Sequence, residues 1–230
     1  TELSRQAGCP LLGGDTTRTA KVGDIHAPVT ISITAMGELP QSMGLTRSGA
    51  RPGDDIWVSG CVGGAWAALM HRWGKLTLDA RVFPAAALAM DRPNPRNALG
   101  TALLSSATAC ADISDGLAQD LGHILERSGV DADVLWDAVP KHPALAALSQ
   151  EQQVEAAMSG GDDYELVFTA PADKRGLIEQ ASISALTPVT RIGRIVEKKP
   201  SGAPLAIRDA SGRPLFLPVQ GFDHFAQSAD

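Results

Sequence analysis

One stretch constrains the fold of this chain more than any other: "NALGTALLSSATACADISDGLAQDLGHILERSG", residues 97–129. A helical segment running into Ser105 leads to a strand or turn over 109–114 and then to a second helix. In that helix Leu117, Leu121, Ile124 and Leu125 recur at i, i+4, i+7 and i+8 and make one apolar stripe. Asp115 stands where a side chain caps a helix N-terminus, and Gly129 where a C-cap glycine belongs. A helix with one apolar stripe has to lay it on another layer, a sheet or further helices.

The flanking segments supply that sheet. "APVTISITAMGELP" sets Val29, Ile31 and Ile33 against Thr30, Ser32 and Thr34, which predicts a strand closed by Gly37 and Pro40. The preceding "TAKVGDIHA" has no periodicity and reads as a loop. "RSGARPGDDIWVSG" is a turn-rich link into a strand over 55–59, which places a domain boundary near 40–50. "GGAWAALMHRW" and "FPAAALAMDR" read as helices. A strand is expected over 133–136, a short helix near 143–148, a helix near 151–158 and a strand over 164–169. The last sixty residues read as a helix, the strand "VTRIGRIVE", an exposed turn and a tail ending "GFDHF". Interleaved strands and helices make the class α/β or α+β. The chain opens at Thr1 and reaches a Gly-Gly-Asp turn within fifteen residues, so an N-terminal portion is expected upstream.

Composition narrows the function classes. A net charge of −6 gives no bulk basic field for nucleic acid or an anionic membrane. No run of about eighteen apolar residues is present, so no membrane span is expected. Cys9, Cys61 and Cys110 are far apart and outside any CxxC or zinc spacing, which fits idle thiols in a reducing, cytoplasmic setting. The glycine-rich phosphate cradles are missing: there is no GxxxxGK[ST], no GxGxxG after a strand, no HRD or DFG set and no GxSxG elbow.

Three acidic turns stand out instead: "GGDTTR" with Asp15, "ADISDG" with Asp112 and Asp115, and "GGDDYE" with Asp162, Asp163 and Glu165. Glycine lets a ligand approach the backbone, and hard carboxylate oxygens suit Mg²⁺. Magnesium keeps several waters and takes only a few carboxylates beside substrate phosphates, so scattered acidic turns suffice. Asp112 and Asp115, with Ser114 between them, offer two carboxylates and a hydroxyl to one cluster. Taken singly, each turn is more often only a turn, and Asp115 also fits a plain helix cap. Arg47 alone reads as a solvated charge, and His71, His123 and His224 have no metal spacing around them.

In order along the chain, "LLGGDTTR", "LTRSGARPGD", "ADISDGLAQDLGHI", "SGGDDYELVFT" and "GFDHF" resemble the thiamine-monophosphate kinase family of the aminoimidazole ribonucleotide synthetase superfamily. The resemblance runs from about Leu11 to Phe225. It implies a two-domain α/β synthetase-like fold, with most of the N-terminal domain absent from this chain. Residues 1–45 would then be the remnant of an ATP- and Mg²⁺-binding domain, and 46–230 the C-terminal α/β domain. The implied activity is transfer of the ATP γ-phosphate to thiamine monophosphate, giving thiamine diphosphate, by a homodimer using several Mg²⁺ ions.

Carried over by motif, Gly14, Asp15, Arg47 and Ser114 resemble ATP contacts. Asp15, Asp112 and Asp115 resemble metal ligands, and Asp162 and Phe222 substrate contacts. No catalytic acid or base is implied, because the acceptor phosphate is already ionised near neutral pH. Asp162 stands where the family often has Glu, and the family gives Asp163 no separate role. Two alternatives stand beside this reading. One is another ATP-dependent synthetase or a hydrogenase-maturation protein of the superfamily, and the other is a non-catalytic nucleotide-binding module.

Overall fold

The computed structural model describes residues 2–18, 21–23, 25–26, 29–39 and 44–215. The chain divides into two units, Thr1–Met43 and Gly44–Asp230. In the first, helix α1 (Glu2–Gln6) is followed by a two-stranded antiparallel hairpin, β1 (Lys21–Val22) and β2 (Ile25–His26). That hairpin falls inside the stretch expected to be a loop. Conversely, the strand expected at 29–39 is not formed, and Val29, Ile31 and Ile33 are exposed. Alternation specifies which face of a strand is apolar, but a strand also needs a neighbour to take its backbone hydrogen bonds. No described residue pairs with this segment.

The second unit is built on a six-stranded sheet. In chain order its elements are β3 (Asp55–Ser59), α2 (Gly64–Arg72), α3 (Phe83–Asp91), α4 (Asn97–Ala102), β4 (Ala109–Ile113) and α5 (Leu117–Ser128). There follow β5 (Asp131–Leu135), α6 (Gln150–Ser159), β6 (Glu165–Ala170), α7 (Arg175–Ser184), β7 (Val189–Val196) and β8 (Leu205–Arg208). The strand order is β4-β6-β3-β7-β5-β8, antiparallel throughout except for the parallel pair β5 and β8.

Successive side chains of a strand point to opposite faces, and both faces of the central strands are covered. Ile56, Val58 and Val167 pack with α2, α5 and α6, joined by Leu117, Leu121, Ile124 and Leu125 of α5. Trp57 and Phe168, directly opposite each other on β3 and β6, stack with ring centroids 6.3 Å apart. They face the other way, onto Leu99 of α4 and Ile178 of α7. This two-sided cover explains why every residue of β3 is buried.

The expected helices over 64–72, 83–91, 117–128 and 150–159 form, the last with a capping box between Ser149 and Gln152. Gly129 closes α5 in the left-handed conformation with φ 68°. The helix expected near 143–148 is a single 3₁₀ turn, Pro143–Leu145. β8 falls in the segment read as turn and tail. Its pairing partner β5 lies about seventy residues upstream, a contact invisible to local periodicity.

Candidate active site

At one end of the sheet the ladder between β4 and β6 finishes with Ile113 opposite Glu165, and the chain turns sharply at both strand ends. The two turns are bound together. Asp162 N donates to Ser114 O at 2.8 Å, and Tyr164 N donates to Ile113 O at 2.8 Å. Gly161, at φ +66°, lies so close that a Cβ would sit 2.5 Å from Ser114 O. A Cβ on Gly116 would sit 2.8 Å from the Cα of Ser159. Glycine is required at both because backbone packs on backbone there. "ADISDG" and "GGDDYE", about fifty residues apart, thus form one acidic corner.

Within it the carboxylates have different environments. Asp112 is exposed and makes no hydrogen bond or ion pair with any described residue. Asp115 is half-buried, and Gln119 Nε2 reaches its Oδ2 only at 3.5 Å. Asp162 is exposed, sits at φ 58°, and accepts the Tyr164 hydroxyl on Oδ1 at 3.1 Å. Burial, then the charge of Asp162 and its hydrogen bond, and then the charges of Asp112 and Asp115, push the Tyr164 phenol up. One aromatic ring therefore lies in the field of all three acids.

The expected cap at Asp115 is not formed. The N-cap of α5 is Gly116, with no side-chain cap bond. Asp120, wholly buried in the first turn of α5, reaches back instead: its Oδ2 accepts Ser114 N and Asp115 N, each at 3.0 Å. Taking those two N–H groups fixes the turn and leaves the Asp115 carboxylate free to point elsewhere. Burial pushes the Asp120 carboxyl up, and its Oδ1 has no partner among the described residues. Asp120 carries a signal in the sequence, an acid one helical turn beyond Gly116, but it is equally an ordinary first-turn acid.

Asp163 also has a partner. Both of its oxygens accept Gly63 N, at 3.0 and 2.8 Å, so it caps the start of α2 from a hundred residues away. Burial outweighs those N–H bonds and pushes the Asp163 carboxyl up to about 7. Glu165 leaves the acidic turn altogether. It is buried, accepts Ser59 Oγ at 2.5 Å and is gripped by Arg96 through Nε at 2.7 Å and through Nη2.

The other expected site residues lie in other segments of the chain. Gly14 and Asp15 belong to the first unit, where both are exposed and Asp15 Oδ1 accepts Thr16 N at 2.9 Å. Arg47 lies in a segment along the outer edge of β4. Thr46 O accepts Cys110 N at 2.9 Å, and Arg47 O accepts Ser128 Oγ at 3.4 Å. Ser128 ends the helix that Asp115 precedes, so the Arg47 backbone sits about 15–20 Å from the Asp115 turn, by the rise along a twelve-residue helix. Phe222 lies outside the described residues.

The corner offers exposed carboxylate oxygens but no preformed cage. Among the described residues no three His, Cys, Asp or Glu side chains converge into a closed cage. Asp112 and Asp115 keep most of their lone pairs free. That donor set suits an oxygen-loving ion sharing its ligands with water and phosphate rather than zinc or another cage-bound metal.

Residues 51–204 match the family model described as AIR synthase related protein, C-terminal domain. The chain belongs to the AIR synthase related family. The thiamine-monophosphate kinase of Haemophilus influenzae is 37% identical to this AIR synthase related chain over 227 residues, covering 97% of this chain and 66% of that protein. The crystal structure of thiamine-monophosphate kinase from Stenotrophomonas maltophilia matches with 40% identity and a TM-score of 0.67, over 74% of this chain and 54% of that one. AaThiL complexed with AMPPCP and TMP matches at 28% identity with a TM-score of 0.62, covering 79% and 54%. The resemblance read from the acidic motifs is borne out, and this AIR synthase related chain spans just under two thirds of the Haemophilus relative. No helix among the described residues is long and apolar enough to cross a membrane.

Proposed function

We propose that the protein containing this chain transfers the γ-phosphate of ATP to thiamine monophosphate and forms thiamine diphosphate. The observation that carries the reading is the fusion of the two acidic turns into one corner, through the hydrogen bonds from Asp162 N to Ser114 O and from Tyr164 N to Ile113 O. The similarity to thiamine-monophosphate kinases, one of them complexed with AMPPCP and TMP, supplies the substrates.

Joining two phosphates requires neutralised charge and in-line alignment more than proton transfer. Magnesium, when bound, would supply that neutralisation. Asp112 and Asp115 would hold it here, and the family resemblance gives Asp15 the same role, while Ser114 would contact ATP phosphate. Asp120 holds the Ser114 and Asp115 main chain in place. Gly14, by the same resemblance, would contact ATP, and Arg47, at the far end of β4, would meet the nucleotide away from the transferred phosphate. Asp162 would face the cationic thiamine moiety, and the family resemblance alone gives Phe222 a substrate-contact role. The acceptor phosphate is largely ionised near neutral pH, so no side chain has to remove a proton. The family resemblance extends this reading to a homodimer.

The test is direct. The whole protein, incubated with ATP, Mg²⁺ and thiamine monophosphate, should form thiamine diphosphate and ADP in equal amounts, seen by chromatography. ADP formed without thiamine diphosphate, or no product above background, would refute the proposal.

A further inference from the structure

The segment 162–164 is held in an unusual way. Asp162 and Tyr164 both have positive φ, 58° and 50°, and they flank a residue tied down elsewhere. A bulky aromatic residue in the left-handed region is a genuine outlier, and such strain persists only where the surroundings impose it. Here the surroundings are explicit: the main chain of 162 and 164 is bonded to Ser114 and Ile113, and the side chain of Asp163 is bonded to Gly63 at the start of α2. Three tethers on three consecutive residues leave the side chains of Asp162 and Tyr164 exposed, with Tyr164 in the field of Asp112 and Asp115. Tyr164, the only tyrosine in the chain, is 42% exposed although its ring is large and apolar. Its hydroxyl is spent on Asp162 Oδ1, which fixes the rotamer of that carboxylate and leaves the ring open to a ligand.

We propose that Tyr164 is the specificity residue for the cationic ring of the acceptor: its hydroxyl orients the Asp162 carboxylate and its ring presents a π-face to the positive heterocycle. The proposal rests on the function proposed above and adds a residue and a recognition mode to it. An aromatic face beside an oriented carboxylate selects positive charge twice, through the ring quadrupole and through Coulomb attraction. Polar groups already held in place lose little freedom on binding, which is what the strained, tethered turn supplies. A neutral ring of the same shape would gain neither charge-dependent term.

The experiment compares the whole wild-type protein with Tyr164→Phe and Tyr164→Leu. Two ligands are used, thiamine monophosphate and the analogue in which a neutral thiophene replaces the thiazolium. Calorimetric titration without ATP gives affinity independently of turnover, and steady-state kinetics separate kcat from KM. Tyr164→Leu should weaken thiamine monophosphate about tenfold in both Kd and KM, with kcat and the ATP KM changed less than about twofold. Tyr164→Phe, which keeps the ring and releases Asp162, should fall between. For the neutral analogue the difference between wild type and Tyr164→Leu should shrink to within about twofold. An unchanged Kd in Tyr164→Leu, or an equal loss for both ligands, overturns the proposal, because a merely structural ring would not distinguish charge. Charge-dependent binding without turnover would support Tyr164 while refuting the kinase reading. Absence of binding by wild type would refute both.

Discussion

Asp163 and Asp120 are the two acids that the turns themselves depend on, and each makes a prediction of its own. Asp163 is half-buried with its carboxylate on Gly63 N, and its carboxyl is pushed up to about 7 against about 3.9 in an unfolded chain. A carboxyl raised in the folded state binds its proton more tightly there than in the unfolded chain. Its contribution is therefore fully present below about pH 4 and is lost as pH rises through about 7. Asp163→Asn keeps an oxygen acceptor for Gly63 N and cannot ionise. In EDTA the Asn variant should gain stability over wild type as pH goes from 5 to 8, by on the order of 2 kcal/mol, read from thermal or urea unfolding. A constant difference across that range would show that burial does not control this group. Asp120 tests a different point. Asp120→Asn retains an acceptor for Ser114 N and Asp115 N, whereas Asp120→Ala leaves two N–H groups unmet at about 1–3 kcal/mol each. The Ala variant should unfold several degrees earlier than the Asn variant. Equal melting temperatures would mean that the turn does not rely on Asp120.

At the scale of elements, the site exists because two turns meet where β4 and β6 end, and glycine is what lets them meet. Gly161→Ala places a Cβ against Ser114 O at a left-handed position and should destabilise by on the order of 2–3 kcal/mol. Gly122→Ala, inside α5 with no atom within 4 Å of the added carbon, should instead stabilise by about 0.5–1 kcal/mol. Urea unfolding of the two variants checks the contrast, and a neutral Gly161→Ala would contradict the close approach. The sequence made α2, α3, α5 and α6 legible because their periodicity, caps and lengths are local properties. It made Asp112, Asp115 and Asp162 legible as candidates because acids beside glycine are conspicuous. What it could not show was pairing. Val29, Ile31 and Ile33 alternate like a strand yet have no described neighbour, and β8 forms only because β5 lies beside it. Glu165 looked like a third acid of its turn until the fold put Arg96 and Ser59 against it. Nothing local distinguishes a carboxylate waiting for a metal from one that already has an arginine.

Over the whole molecule, a chain of net charge −6 leaves Asp112 and Asp162 without a cationic partner at one corner of its sheet and compensates some of its buried carboxylates with arginine. Glu165 with Arg96, and Asp55 with Arg175 and Arg191, are compensated by guanidinium groups, which hold the Asp55 carboxyl below its ordinary range despite burial. Asp112 and Asp162 have no such partner, and as exposed carboxylates they stay available to a cation. Under the proposed function that cation would be a metal at Asp112 and Asp115 and the positive heterocycle of the acceptor at Asp162. The most direct test is therefore a pair of saturation curves on the whole protein, one in Mg²⁺ and one in thiamine monophosphate, for wild type, Asp115→Asn and Asp162→Ala. The account predicts that Asp115→Asn raises the Mg²⁺ concentration for half-maximal rate about tenfold or more, or abolishes turnover, and that Asp162→Ala raises the thiamine monophosphate KM while leaving the Mg²⁺ curve in place. Wild-type Mg²⁺ dependence in Asp115→Asn, or an unchanged KM in Asp162→Ala, would contradict it.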